Sequence, residues 1–255
     1  MTDLMRRIPE YPRRLVSVVP SQTELLFDLG LDAEIVGVTR YCTHPADRVK
    51  QRTIVGGTKN LNLDLIDTLR PDLIVANKEE NECEQIEYLA QRYPVHVTDM
   101  ATLPEALQMI QEVGQLVGKP SQAEQLVSQI RASMPPPIAS TLRVAYLIWR
   151  KPYMAAASHT FIDDMLRVAG FCNALANQTR YPVLTADDLR AARPDLIFLS
   201  SEPYPFRDKH RAELEVICPD ARVELVDGEL FSWYGSRLVK SGAYFAQLRR
   251  QFIRQ

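Results

Sequence analysis

One phrase is written twice in this chain, as RPDLIVANKEEN at residues 70–81 and as RPDLIFLSSEPY at residues 193–204. In each copy a short unbroken apolar run, Leu73 to Ala76 and Leu196 to Leu199, ends abruptly in polar residues. An apolar run without alternation suits a strand buried on both faces, as in a parallel sheet covered by helices. Ahead of each run lies an amphipathic stretch, LDLIDTL and ADDLRAA, which reads as a helix stopped near Pro71 or Pro194, since the residue before a proline is pushed out of the helical region. Helix, Pro-Asp, buried strand and polar loop therefore occur once in each half, and two similar α/β lobes are expected.

The surrounding pattern extends the repeat. RLVSVV reads as a first strand running into PSQTELLFDLGL, where Ser21 and Glu24 have capping-box spacing and Gly30 ends the helix. IVGVT, LIVA and VHVT follow as strands separated by helical stretches, the alternation of a parallel α/β layer. From about Leu103 to Ser133 the pattern becomes helical, with GKP at 118–120 as a breaking point and PPP at 135–137 as its end. A second series then begins with RVAYLIW, loop RKPYMAAAS and helix HTFIDDMLRVAG, and continues through LIFLS and VELVD to a final amphipathic helix. The expected organisation is an N-terminal α/β lobe at 1–102, a connecting backbone helix at 103–137 and a C-terminal α/β lobe at 138–255.

Composition excludes several classes. With 255 residues, 46% hydrophobic, 24% charged and a net charge of −2, the chain has the mix of a globular protein and no basic excess to drive nucleic-acid binding. No apolar stretch approaches the roughly 20 residues of a membrane helix, so no membrane insertion is expected. The start MTDLMRRIPEYPRRLVSVVPS lacks an apolar core region and a small-residue cleavage site. A cytoplasmic location is expected of the chain as written, and a periplasmic one if a leader has been removed. Cys42, Cys83, Cys172 and Cys218 form no CxxC pair, which fits a reducing compartment.

In open parallel sheets ligands bind beyond the carboxyl ends of the strands, and clefts between lobes are preferred small-molecule sites. Those strand ends nominate Tyr41, Lys59, Glu79 and Glu80 in the first lobe. In the second they nominate Trp149, Arg150, Tyr153, Glu202, Tyr204, Trp233, Tyr234 and Arg237. Tryptophan supplies flat apolar area with one N–H donor, and arginine pairs with carboxylates or phosphates. The plainer alternative is packing of the loops on each other, with Arg237 bridging to Glu202 or Asp227. For Glu79 and Glu80 it is a solvated loop, or carboxylates that favour the start of the next helix.

Cys42 and His44 make the most metal-like pair, a soft thiolate and an imidazole suited to zinc or copper, and Glu79, Glu80 and Glu202 are the residues that would complete three or four ligands. The alternative is a loop with a capping histidine and a half-buried cysteine. His96 is expected to be structural, His159 a helix cap and His210 exposed. Gly56-Gly57-Thr58-Lys59 lacks phosphate-loop spacing, and neither GxSxG nor HExxH occurs.

RLVSVVPSQTELLFDLGLDAEIVGVTRYCTHP followed by VGGTKNLNLDLIDTLRPDLIVA resembles the opening lobe of the cobalamin and iron-siderophore substrate-binding proteins of ABC importers. CTHP, GGTKN, ANKEEN, IWRKPYM, SSEPYPF and FSWYGSRL resemble a leaderless branch of that family, the helical-backbone metal receptors. The resemblance implies a chelatase-like fold of two parallel-sheet lobes joined by a long backbone helix. It implies a small-molecule or metal ligand in the interlobe cleft: a corrinoid, an iron chelate, haem or a transition metal ion. It also implies an ABC permease as partner, docked through one exposed glutamate per lobe, for which Glu82 or Glu84 and Glu229 are candidates. The function expected is ligand binding for import or intracellular carriage. The alternative is a metal-dependent enzyme using Cys42, His44, Glu79 and Glu202 in the same cleft.

Overall fold

The computed structural model describes residues 11–138 and 140–253. Contacts divide the chain into two compact units. Among the described residues the first holds 11–100, Pro104–Gln129 and Tyr234–Arg237, and the second holds Ala101–Leu103, 130–138, 140–233 and 238–253. The segment expected as one connector is thus shared between them, and four residues from late in the chain pack into the first unit.

The first unit is built on strands β1 (Leu15–Ser17), β2 (Ile35–Val38), β3 (Thr53–Ile54), β6 (Leu73–Asn77) and β7 (Val95–Thr98), with a small hairpin β4 (Gly56–Gly57) and β5 (Asn60–Leu61) beside them. The sheet order is β3-β2-β1-β6-β7, and every pairing in it is parallel. Helices α1 (Pro20–Asp28), α2 (Ala46–Val49), α3 (Leu63–Leu69) and α4 (Cys83–Ala90) connect the strands. Val16, Ile74 and Ala76 are fully buried against Ile66 and Leu89 of those helices, as both-face burial requires.

Helices α5 (Leu103–Leu116) and α6 (Pro120–Ser133) replace a single continuous connector. The break falls where GKP was expected to allow it: Gly118 adopts φ 70°, a left-handed conformation natural to glycine after a helix end, and Pro120 opens the next helix.

The second unit carries β8 (Arg143–Trp149), β9 (Tyr153–Ala155), β10 (Cys172–Asn173), β11 (Val183–Leu184), β12 (Leu196–Ser200) and β13 (Arg222–Val226). Its order is β11-β9-β8-β12-β13, with β10 also paired to β8. The β8–β12–β13 core is parallel, but β9 pairs antiparallel with both β8 and β11. RKPYMAAAS, expected as a loop, therefore folds back as a hairpin strand: Lys151 and Pro152 form its turn, and the apolar Ala155 packs inward at 0% exposure. Helices α7 (Phe161–Val168), α8 (Ala186–Ala191), α9 (Arg211–Ile217), α10 (Glu229–Ser232) and α11 (Leu238–Phe252) complete this unit.

The repeated phrase does the same work in both units. β6 and β12 each lie beside their unit's first long strand and are buried throughout. Asp72 accepts from the backbone N–H groups of Arg13 and Arg14, both at 2.8 Å, and Asp195 accepts from Arg143 N–H at 2.7 Å. Each aspartate thus satisfies donors at the entry to the neighbouring strand, which would otherwise go unpaired. The arginine before each Pro-Asp is left-handed, Arg70 at φ 46° and Arg193 at φ 45°. The first-strand arginines then return to the preceding helix: Arg14 donates to Leu69 O at 2.8 Å and Arg143 to Ala192 O at 3.0 Å.

Candidate functional site

In each unit the connection order reverses beside the first strand, between β1 and β6 and between β8 and β12. Loops at the carboxyl ends of those strands are where an open α/β sheet offers a site.

In the first unit the loop after β6 is closed by two asparagines. Asn77 Oδ1 accepts from the backbone N–H groups of Glu79 and Glu80 at 2.9 and 3.2 Å. Asn81 Oδ1 accepts from Asn77 N–H at 2.8 Å, while its amide donates to Val18 O and Thr58 O. Glu79 and Glu80 are therefore held in a turn, and helix α4 begins only at Cys83. Glu80 accepts from the phenol of Tyr234. Burial, with Glu80 beside it, pushes the Tyr234 hydroxyl well above its ordinary value. Lys59 donates to Glu79 O at 3.0 Å and pairs with Glu82 at 3.3 Å. Tyr41 is 56% exposed, next to Gly57.

Helix α1 starts differently from the sequence expectation. Val19 is the N-cap and Pro20 occupies the first helical turn, so Ser21 lies inside the helix and makes no capping box. Proline at N1 has its φ preset and no N–H to leave unsatisfied. Glu24 is freed for another partner. Arg237 Nε and Nη2 donate to its two oxygens at 2.8 and 2.7 Å, with both side chains 9% exposed. Arg237 thus pairs with Glu24, a partner the sequence expectation did not name.

The Cys42 thiol is buried between the hydroxyls of Thr23 and Thr39, at 3.1 and 3.3 Å, and burial pushes its pKa up. Among the described residues no group of three or more His, Cys, Asp or Glu is placed to hold a metal ion. An open hollow of about 460 Å³ lies over Arg40, Ile54, Gly56 and Asn60 to Asn62, and none of the candidate side chains lines it.

The second unit brings together Trp149, Arg150, Tyr153 and Tyr204. Trp149 ends β8 at 41% exposure, with the Tyr204 ring edge-on at 5.6 Å. Arg150 donates through Nε and Nη2 to Glu213 Oε2 at 3.0 and 2.6 Å, and the Tyr153 phenol donates to Oε1 of the same carboxylate. These bonds, Tyr153 first, hold the Glu213 carboxyl below its ordinary range. Glu213, on α9, carries no motif, so nothing local in the sequence marks it. His210 is buried, not exposed: its Nδ1 accepts from Arg207 N–H at 2.9 Å, and its ring packs on Tyr204 and Phe206. His159 is not the cap of α7; Thr160 is, accepting from Asp163 N–H at 3.2 Å. His96 does lie in a strand, β7, with Nε2 buried and unpartnered.

Glu202 is turned to a separate group. Its Oε1 accepts from Ser232 Oγ at 2.7 Å and from Trp233 Nε1 at 2.9 Å, and Trp233 is only 6% exposed. Burial raises the Glu202 pKa, with Glu229 and Asp227 adding to the effect. A carboxyl raised in the folded state adds stability at pH below its ordinary value, which is lost as pH climbs through the raised one. Glu202→Gln keeps an acceptor oxygen for both donors and carries no charge. Its melting temperature is expected to rise above wild type by about 2–4 °C at the alkaline end of that window, and the two curves should converge in acid. Parallel curves across a calorimetric pH series would refute this.

Residues 15–215 match the family model described as periplasmic binding protein. The chain belongs to that family. A Bacillus subtilis (strain 168) relative, the uncharacterized ABC transporter substrate-binding lipoprotein YvrC, is 26% identical over 251 residues, covering 91% of this chain and 78% of that protein. The periplasmic vitamin B12 binding protein BtuF of Vibrio cholerae superposes with TM-score 0.78 at 21% identity, covering 96% of this chain and 99% of that one. The periplasmic heme-binding protein BhuT, solved with two hemes, superposes with TM-score 0.79 at 24% identity, covering 93% and 97%. Both likenesses are of fold. No described helix is long and apolar enough to cross a membrane.

Proposed function

We propose that this protein is a substrate-binding component that carries a metal chelate or corrinoid-type cofactor, for import or intracellular carriage. The observation that supports it most is Trp149. A tryptophan 41% exposed at the carboxyl end of a central parallel strand, in a T-shaped contact with Tyr204, offers the flat apolar face that a macrocycle stacks on. Membership of a family of binding proteins and the vitamin B12 and heme ligands named for its structural neighbours support the same class. For import the partner is an ABC permease, as the name of the Bacillus subtilis relative suggests. A reducing, cytoplasmic location is favoured by four free cysteines, and cell fractionation with a thiol-labelling reagent tests it.

The chain has only two tryptophans, and Trp233 is buried. Emission of Trp149 therefore reports on the proposed surface. Titration with cyanocobalamin, hemin and ferric chelates is expected to quench it saturably for one class. Trp149→Ala, followed by absorbance instead, is expected to weaken that class about tenfold or more, the loss typical of a truncated aromatic anchor. Equal affinity of the variant would remove Trp149 from the site, and no saturable binding by any of the three would remove the ligand class.

A further inference from the structure

We infer that Glu213 is a positioning residue that sets the charge of the ligand accepted beside Trp149, favouring an uncharged, amide-rimmed chelate over one bearing carboxylates. This rests on the proposed binding role. The arginine that the sequence offers to an anionic ligand is already occupied. Arg150 spends Nε and Nη2 on Glu213, and Tyr153 fixes the other oxygen of the same carboxylate. The pair is only partly exposed, 22% for the Arg150 side chain and 37% for Glu213. A two-donor guanidinium–carboxylate pair with a third donor on it is geometrically specific and unlike a loose surface ion pair.

A ligand carboxylate reaching for Arg150 meets the Glu213 carboxylate first. It must either displace a bonded anion or sit beside it as a like charge, and both cost affinity. An uncharged ligand meets a cluster of two rings and a neutral pair. His210, packed on Tyr204, adds no compensating cation, since burial and Arg150 hold it towards its neutral form. Lys151, exposed at the hairpin turn, and Lys209, whose charge also bears on His210, are further nearby cations outside the bonded group.

The first test needs no ligand. Trp149 emission is quenched by iodide and by acrylamide in wild type and in Glu213→Gln. Glutamine keeps one oxygen for Arg150 and turns its amide N–H towards the Tyr153 hydroxyl in place of Oε1, but leaves the cluster one positive charge in excess, so iodide quenching should rise relative to acrylamide. Unchanged relative quenching would overturn the electrostatic reading, because a packing role alone would move both quenchers together. The second test compares hemin, with two carboxylates, against cyanocobalamin, with amides. The hemin-to-cyanocobalamin affinity ratio should shift towards hemin by about tenfold in Glu213→Gln. An equal change for both ligands overturns the inference while leaving the binding role standing. Binding of neither by either protein overturns the binding role and the inference with it.

Discussion

Replacing Arg237 by alanine is expected to destabilise the first unit by about 3–5 kcal/mol, the usual cost of breaking one side of a buried ion pair. Glu24 and Arg237 are each 9% exposed and joined by two hydrogen bonds of 2.8 and 2.7 Å. Removing the guanidinium leaves a carboxylate in a place that water barely reaches, and that penalty, more than the lost attraction, sets the size of the effect. The loss is also topological. Among the described residues after Gln129, Tyr234–Arg237 is the only stretch assigned to the first unit, and it lies directly on α1. A Cβ on Gly235 would come within 2.6 Å of Ser21 O. Both tryptophans belong to the second unit, so fluorescence does not report on α1 itself. Amide hydrogen exchange across α1, with denaturant unfolding followed by circular dichroism, is the suitable measurement, and each transition needs its own fit because two units need not unfold together. Glu24→Gln/Arg237→Met, which removes both charges, should recover most of the loss. A single-variant cost below about 1 kcal/mol would show that the pair is far more hydrated than its exposure implies.

The two-lobe fold was legible because its signals are local. RPDLI carries a helix stop, a strand entry and a doubly buried strand within a dozen residues, and the aspartate bonds repeat in both units. What sequence reading missed is non-local. Glu24 and Arg237 are 213 residues apart, and no window of sequence contains both, so the capping-box spacing at Ser21 and Glu24 looked sufficient. The same limit hid Glu213, which is 63 residues from Arg150. β9 was missed for a different reason. Tyr-Met-Ala has no alternation long enough to register as a strand, and only pairing with β8 and β11 makes it one. Residue types at strand ends can be nominated from the sequence, but their exposure cannot. Trp149 is offered to solvent, whereas Trp233, Tyr234 and Arg237 are buried and bonded to carboxylates. Composition cannot distinguish these cases, because an aromatic or an arginine suits either role until its partner is known.

Phe231→Ala is expected to cost the second unit about 3–5 kcal/mol, the range for an aromatic removed from a core that cannot collapse around the gap. Phe231 is fully buried, with ring centroids of Phe245 at 4.9 Å, Tyr146 at 5.2 Å, and Phe198 and Tyr244 at 6.2 Å. It sits on α10, immediately before Ser232 and Trp233, the two residues that bond Glu202. The ring therefore anchors the short helix whose end carries that group. Four residues of helix have little stability of their own, so the Glu202 bonds should weaken together with the packing. In a Trp149→Phe background Trp233 is the sole tryptophan. Its emission should shift to longer wavelength in Phe231→Ala even before the unfolding transition, as the buried indole N–H loses its fixed acceptor. Phe231→Leu, which refills part of the volume, should restore the wild-type emission and most of the stability. A variant that unfolds earlier but keeps unshifted Trp233 emission up to the transition would separate the two roles. The ring would then serve the core alone, and Glu202 would hold α10 in place without it.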